Sequence, residues 1–114
     1  MDTMTIKEIC NALQLNVLAG SKGLDKRVTG GYVSDLLSDV MGNAREGELW
    51  VTLQTHRNVM AIASLKDLAG VILVNGQQPD ADMAEQANKE GIAVLGTDQS
   101  NFIITGKLFQ LLNS

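Results

Sequence analysis

Few residue types able to do chemistry occur in this chain, and their spacing narrows what they could do. The sequence holds one histidine and one cysteine, so a metal site or a base–nucleophile pair must use His56 or Cys10 without a second imidazole or thiol. His56 stands in the run Thr52-Leu53-Gln54-Thr55-His56-Arg57-Asn58, which brings together hydroxyls, amides, an imidazole and a guanidinium. Two further polar runs, Asn75-Gly76-Gln77-Gln78 and Gly96-Thr97-Asp98-Gln99, also follow apolar stretches. With the helix N-terminus expected after Thr55, this set can grip an anion or a phosphorylated small molecule. The same residues also make ordinary wet, capped loops. For a lone histidine a solvated or helix-capping role is the plainer reading. Cys10 shares an apolar helical face with Ile6, Ile9 and Leu13, where a free cysteine behaves as a small buried hydrophobe.

Lys22, Lys26 and Arg27 form the only basic concentration, and Gly30 and Gly31 follow closely. Cations and open backbone amides could converge there on one anion, although Asp25 among them also fits a solvated turn. Gly106-Lys107 does not complete a phosphate-binding loop: Asn101 stands where the pattern needs glycine and Leu108 where it needs Ser or Thr. Nothing else supports autonomous catalysis, so no catalytic residue, metal ligand or cofactor is expected. A catalytic use of His56 with Asp35 or Asp98 is the remaining enzymatic alternative. The five methionines are scattered, and Trp50 reads as a packing residue in a strand.

Composition excludes several function classes. Nine basic and 13 acidic residues leave a net charge of −4, with no positive background to neutralise a phosphate backbone, so nucleic acid is not an expected partner. No apolar stretch approaches the roughly 18 residues that span a bilayer, and Met1–Ile6 is polar and acidic rather than a signal sequence, so neither membrane insertion nor secretion is expected. The lone cysteine rules out an intrachain disulfide and a thiolate zinc cluster within one chain, which fits a cytoplasmic home. At 114 residues and 45% hydrophobic the chain reads as one domain, 1–114.

The elements that must position these residues follow from periodicity. Thr5-Ile6-Lys7-Glu8 is a capping-box pattern, and Ile6, Ile9, Cys10 and Leu13 continue it as an amphipathic helix over Thr5 to about Gln14. A short strand around Leu15–Leu18 ends at Gly20-Ser21-Lys22-Gly23. Arg27–Ser34 is extended but interrupted by its two glycines. Asp35–Met41 makes one or two helical turns capped by Ser34 or Asp35 and stopped at Gly42-Asn43. Glu48–Leu53 alternates as a strand, and a helix from His56 to about Leu68 takes Thr55 as its cap. Val71–Val74 and Ile92–Leu95 are buried parallel strands joined by a helix that Pro79 and Asp80 open and Gly91 ends, a right-handed βαβ unit. Ser100 caps a last helix with Ile104, Leu108, Leu111 and Leu112 on its sheet-facing stripe. The expected fold class is α/β, a single, mostly parallel sheet flanked by helices, with its binding loops past the carboxyl ends of the strands.

Three stretches carry a family likeness: Arg27-Val28-Thr29-Gly30-Gly31-Tyr32, Ser34-Asp35-Leu36-Leu37-Ser38-Asp39-Val40-Met41 and Gly47-Glu48-Leu49-Trp50-Val51-Thr52, followed by the buried Gly70–Asn75 strand. Through them the chain resembles the DRTGG domain family, in the manner of a stand-alone copy. Thr29, Gly30 and Gly31 match the name-giving motif residue for residue, whereas Val28 separates Arg27 from Thr29 and Asp25 is the nearest acid. The resemblance implies a fold like the N-terminal domain of HPr kinase/phosphorylase, and a regulatory role beside partner enzymes such as phosphotransacetylases or in CBS-domain proteins. The kinase relatives keep their phosphate-binding loop in a separate domain, which this sequence lacks. Gly47–Thr52 also resembles the N-terminal domain of Mur ligases, which holds a uridine nucleotide. That likeness implies a nucleotide-like anion at Thr29–Tyr32 and Thr52–Asn58.

The functional expectation is therefore a non-catalytic regulatory module that binds a small anionic ligand and self-associates, as a homodimer, or docks on a partner enzyme. Its ligand-binding residues are Thr29, Gly30, Gly31, Tyr32, Thr52, Gln54, His56, Arg57, Asn58, Asn75, Gly76 and Thr97. Gly30 and Gly31 would admit backbone approach, Thr29 and Thr52 would donate hydroxyls, and Arg57 would supply charge. The alternative is a purely structural interaction domain with no small-molecule ligand.

Overall fold

Thr5 closes the first helix reciprocally: its hydroxyl accepts from the Glu8 amide at 3.2 Å, and the Glu8 carboxylate accepts from the Thr5 amide at 2.9 Å. In the computed structural model, which describes residues 3–114, that helix opens a regular alternation of elements. Met1 and Asp2, the start of the polar N-terminal segment, lie outside the described residues. The order is β1 (Met4–Thr5), α1 (Ile6–Leu13), β2 (Asn16–Ala19), a 3₁₀ turn (Ser21–Gly23), β3 (Arg27–Val28), β4 (Gly30–Val33), α2 (Leu37–Asn43), β5 (Glu48–Thr52), α3 (Asn58–Leu65), β6 (Gly70–Leu73), α4 (Ala81–Glu90), β7 (Ala93–Gly96) and α5 (Asn101–Leu112).

The main sheet has five strands in the order β2-β7-β6-β5-β4. Strands β4 to β7 run parallel, with Gly30 opposite Glu48, Leu49 opposite Gly70 and Gly70 opposite Ala93, and β2 lies antiparallel on β7. The buried runs Val71–Val74 and Ile92–Leu95 are thus central strands, as their unbroken apolar character predicts. Successive side chains leave on opposite faces. Trp50, Val71, Leu73 and Val94 pack with Val40, Val59, Met60, Met83 and Ala87 of α2, α3 and α4. Leu49, Val51, Ile72 and Leu95 pack with Ile6, Ile9, Ile104 and Leu108 of α1 and α5. Two apolar layers therefore sandwich the sheet. Each fully buried Leu or Ile in them contributes about 1.5–3 kcal/mol. Among the described residues no helix is long and apolar enough to cross a membrane.

Several expectations are corrected. The sheet is not the only one: β1 and β3 form a separate antiparallel ladder, Met4 opposite Val28 and Thr5 opposite Arg27. The extended Arg27–Ser34 segment breaks at Thr29, not at the glycines. Thr29 donates its amide to the Gly47 carbonyl at 2.9 Å and its hydroxyl to the Glu46 carbonyl at 3.0 Å, which turns the chain from one sheet into the other. Gly30 and Gly31 lie inside β4, where a side chain on Gly31 would press on Leu108 at 3.3 Å. Helix α2 begins at Leu37 after Leu36, which gives no side-chain cap, because Asp35 turns its carboxylate to Thr52 and Leu53, and it runs through Gly42 to Asn43. Helix α3 begins at Asn58 rather than His56 and ends at Leu65 rather than Leu68, and Thr55 does not cap it; its carbonyl accepts from the Asp80 amide at 2.9 Å. Strand β5 is covered on both faces, so it is buried from Leu49 to Thr52 instead of half-exposed.

Gly20 and Gly23 are required by close approach. A side chain at Gly20 would sit 1.9 Å from the Ile92 carbonyl oxygen, and one at Gly23 2.4 Å from that of Gly91. The glycine-flanked turn after β2 is therefore a packing surface for the start of β7.

Candidate functional site

Because β4, β5, β6 and β7 are parallel, their carboxyl ends share one edge of the sheet, and the polar runs after them meet there. The loops are tied to one another through side chains. Thr52, fully buried at the end of β5, donates its hydroxyl to Asp35 Oδ1 at 2.8 Å, and the Leu53 amide donates to the same oxygen at 2.7 Å. Gln54 Nε2 donates to the Asp35 carbonyl at 2.8 Å, and the Gln54 amide to the Thr52 hydroxyl at 3.2 Å. Asp35 thus clamps the turn after β4 to the turn after β5.

The other two loops are joined by backbone. Asn75 and Gly76 both have positive φ, 56° and 70°, and the Gln77 amide reaches back to the Val74 carbonyl at 3.1 Å, a tight turn of mirror-image type. The Asn75 amide donates to the Gln99 carbonyl and the Gly76 amide to the Thr97 carbonyl, at 2.9 and 2.8 Å. The buried Thr97 hydroxyl accepts from the Gln99 amide at 3.1 Å, and Gln99 Oε1 is buried without a hydrogen-bond partner.

Above this frame, His56 Nδ1 lies 2.9 Å from Asp80 Oδ2, with both side chains largely exposed. Its partner is therefore Asp80, neither Asp35, which is committed to Thr52 and Leu53, nor Asp98. Arg57 and Asn58 are exposed at the start of α3, and Arg57 has no ion pair among the described residues. Gln54, His56, Arg57, Asn58, Asn75, Gly76 and Thr97 accordingly lie along one edge, with Thr52 and Thr97 beneath the surface. The exposed members present a cation, amides and a protonatable ring, groups suited to an anion.

Thr29, Gly30 and Gly31 lie elsewhere. Thr29 immediately precedes β4 and Gly30 opens it, level with Glu48 at the start of β5, so five residue steps, roughly 16 Å at about 3.3 Å per residue, separate Thr29 from the level of Thr52. The two hydroxyls do not converge. With Val33, Glu48 and Phe109 the two glycines line a groove of about 340 Å³ between the edge strand β4 and α5. Tyr32 points to the opposite face, where its hydroxyl donates to Asp39 Oδ1 at 2.9 Å. Hydrogen bonds from the Ser34 and Tyr32 hydroxyls hold the Asp39 carboxyl below its ordinary range, and the same bond pushes the Tyr32 phenol up. Trp50, fully buried beside them, donates its indole N–H to the Ser34 carbonyl at 2.8 Å.

The basic concentration does not form a cation cluster. Arg27 donates to the Thr3 carbonyl, and Lys26 and Arg27 share a depression of about 330 Å³ with Glu46 and Asp67. Cys10 is buried and its thiol donates to the Leu15 carbonyl; burial pushes its pKa up, away from a nucleophilic thiolate. No group of three or more His, Cys, Asp or Glu side chains among the described residues could hold a metal ion.

Sequence reasoning missed the clamp role of Asp35, the partnership of His56 with Asp80 across 24 positions, and the β4–α5 groove. The groove had one signal in the sequence: Phe109, which lines it, lies off the stripe of Ile104, Leu108, Leu111 and Leu112.

No protein-family model and no curated protein matches the sequence. A solved structure does: the CBS and DRTGG domains of the regulatory region of Clostridium perfringens pyrophosphatase, complexed with its activator diadenosine tetraphosphate. It superposes with a TM-score of 0.73 at 16% identity. The match covers 95% of this chain and 47% of that one, so this chain spans about half the length of its neighbour. At that identity the likeness is one of fold, and it supports a DRTGG-related α/β fold.

Proposed function

We propose that residues 1–114 form one DRTGG-type regulatory domain, akin in fold to the N-terminal domains of HPr kinase/phosphorylase and Mur ligases. It works without catalysis by sensing a small anionic, nucleotide-like ligand and passing the signal on through self-association or a partner enzyme in the cytoplasm. The observation that carries this reading is the shared fold with a regulatory region that holds diadenosine tetraphosphate. The geometry supports it in two ways. Exposed Arg57, His56, Asn58, Asn75 and Gly76 and the half-buried Gln54 share one edge, and the clamped loops beneath them fix the backbone that carries those groups. Thr52 and Thr97 serve as supports whose hydroxyls hold neighbouring loops. Thr29, Gly30, Gly31 and Tyr32 belong to the other edge and to the faces of β4, where the open groove offers backbone approach.

The test is a thermal-shift titration with diadenosine tetraphosphate and ATP at fixed salt. A ligand at about 100 times its Kd adds about 2.7 kcal/mol, which raises Tm by several degrees. Arg57→Ala, on an exposed side chain, should abolish that shift while leaving the unliganded Tm in place; an unchanged shift in Arg57→Ala refutes the placement of the site.

A specific observation favours the alternative, a structural interaction domain with no small-molecule ligand: Phe102 and Phe109 stand exposed on α5. A flat nucleotide titration on well-folded protein is its expected outcome.

A further inference from the structure

Helix α5 is apolar on more sides than its sheet contact requires. Ile104 and Leu108 meet the core, yet Phe102 is 86% exposed, Phe109 69% and Ile103 46%. Phe102, Gly106 and Phe109 fall at i, i+4 and i+7, so they form one ridge on the outer side of the helix. Gly106 interrupts that ridge, and a side chain placed on it would meet nothing within 4 Å. A glycine in mid-helix weakens the helix relative to alanine, and no packing within the chain explains this one. The ridge is therefore two aromatic knobs flanking a gap. Beside it runs the groove floored by Gly30 and Gly31 on the edge strand β4.

We propose that this face is where two copies of the chain meet, with their α5 helices crossing at Gly106 and the phenylalanines of each copy packed against the other. The inference deepens the functional reading above and rests on its self-association arm alone. A second copy fits for three reasons. First, the gap at Gly106 lets two copies of the ridge approach closely at their crossing, with the phenylalanines of each copy on either side of it, so one patch packs on itself as a two-fold interface requires. Second, the charges match. The chain carries −4 overall, but among the described residues the depressions along α5 are lined by one cation, Lys107 on the α1 flank, and one carboxylate, Glu48 on the β4 flank, whose Oε1 also accepts from the Arg45 amide. Two copies that exchange flanks set each lysine against the other's glutamate, and the face avoids the like-charge repulsion that the rest of the surface imposes. Third, the area suffices. At their 86% and 69% exposure the two phenylalanines present on the order of 300 Å² of ring per copy, so a pair of copies covers on the order of 600 Å² with these rings alone. That is about half of the ~1,200 Å² at which stable interfaces begin, and Ile103, Val33 and the groove wall extend it.

The test is sedimentation equilibrium of the whole chain up to about 100 μM, a hundredfold above the Kd of a micromolar dimer. The wild type should fit a monomer–dimer equilibrium. The double variant Phe102→Asp/Phe109→Asp changes only exposed rings, and Gly106→Gln fills empty space on a helix; far-UV circular dichroism should report both as folded. Each should weaken the dimer by at least about thirtyfold, the scale of an interface hot spot. A wild type that stays monomeric across that range, or a dimer that survives either variant, overturns the inference. The thermal response to diadenosine tetraphosphate, measured on the same proteins, reads ligand sensing separately, so a failed interface and a failed sensor are distinct results.

Discussion

Replacing Asp35 with alanine should destabilise the fold markedly without unfolding it, independently of any ligand. The carboxylate takes two hydrogen bonds, from the Thr52 hydroxyl at 2.8 Å and the Leu53 amide at 2.7 Å. The two losses are unequal. Leu53 is exposed, so water replaces the carboxylate there at a cost of about 1 kcal/mol, whereas Thr52 is fully buried and its hydroxyl would be left without an acceptor, at about 1–3 kcal/mol. The expected loss is about 2–4 kcal/mol, or a fall in Tm of roughly 8–17 °C for a chain of this size. Urea unfolding followed by far-UV circular dichroism measures it. Thr52→Val removes the stranded donor in advance, so Asp35→Ala made in that background should cost only about 1 kcal/mol, and the cycle should return a coupling of about 1–3 kcal/mol. A loss below about 0.5 kcal/mol, or an equal loss in both backgrounds, would refute the claim that Asp35 is a structural clamp.

The glycines should separate by what surrounds them: Gly20→Ala, which forces a methyl to 1.9 Å from the Ile92 carbonyl at a φ of 69°, should abolish expression of folded protein, while Gly42→Ala, with open space around it in α2, should raise stability by about 0.5–1 kcal/mol in the same urea assay. The single tyrosine allows a direct pH test, an ultraviolet difference titration of its phenolate. Its hydrogen bond to Asp39 raises the Tyr32 pKa from the ordinary 10.0, so the stability it brings is fully present below pH 10.0 and is lost as pH climbs through the folded value. Asp39, held below its ordinary 3.8, contributes above that pH and stops contributing as pH falls through its own lower value. Asp39→Ala should move the phenolate midpoint down towards that of the unfolded chain, and an unmoved midpoint would show that the bond does not form in solution.

Much of the architecture was legible because its signals are local. The Val71–Val74 and Ile92–Leu95 runs, the Pro79–Gly91 bracket around α4 and the capping hydroxyls of Thr5 and Ser100 all act within a few residues, and the structure has each element there, with the two strands shifted by one residue to Gly70–Leu73 and Ala93–Gly96. The misses share a different cause. Asp35 has the right chemistry to cap a helix, but Thr52 and Leu53, far along the chain, take its carboxylate, and Thr55 does not cap because α3 begins at Asn58, with Arg57 at the cap position. The break at Thr29 depends on carbonyls of Glu46 and Gly47 that no local pattern reveals. For the site, the gathering of Gln54–Asn58, Asn75–Gly76 and Thr97 along one edge follows once the strands are parallel. The separation of Thr29–Gly31 from them follows equally, because those residues begin a strand whose end, not its beginning, faces that edge. The exposed phenylalanines of α5 needed only the observation that their spacing misses the core stripe.

The burial of Trp50 has a practical use. It is the only tryptophan, its ring is fully shielded, and its indole N–H is held by the carbonyl of Ser34, the residue just before the Asp35 clamp. Its emission therefore comes from a single, dry environment anchored to the first loop of the polar strand-end edge. A ligand that displaces that loop would change the intensity or colour of this one fluorophore, so the domain carries its own optical gauge of whether its edge has moved, without a label or an engineered probe.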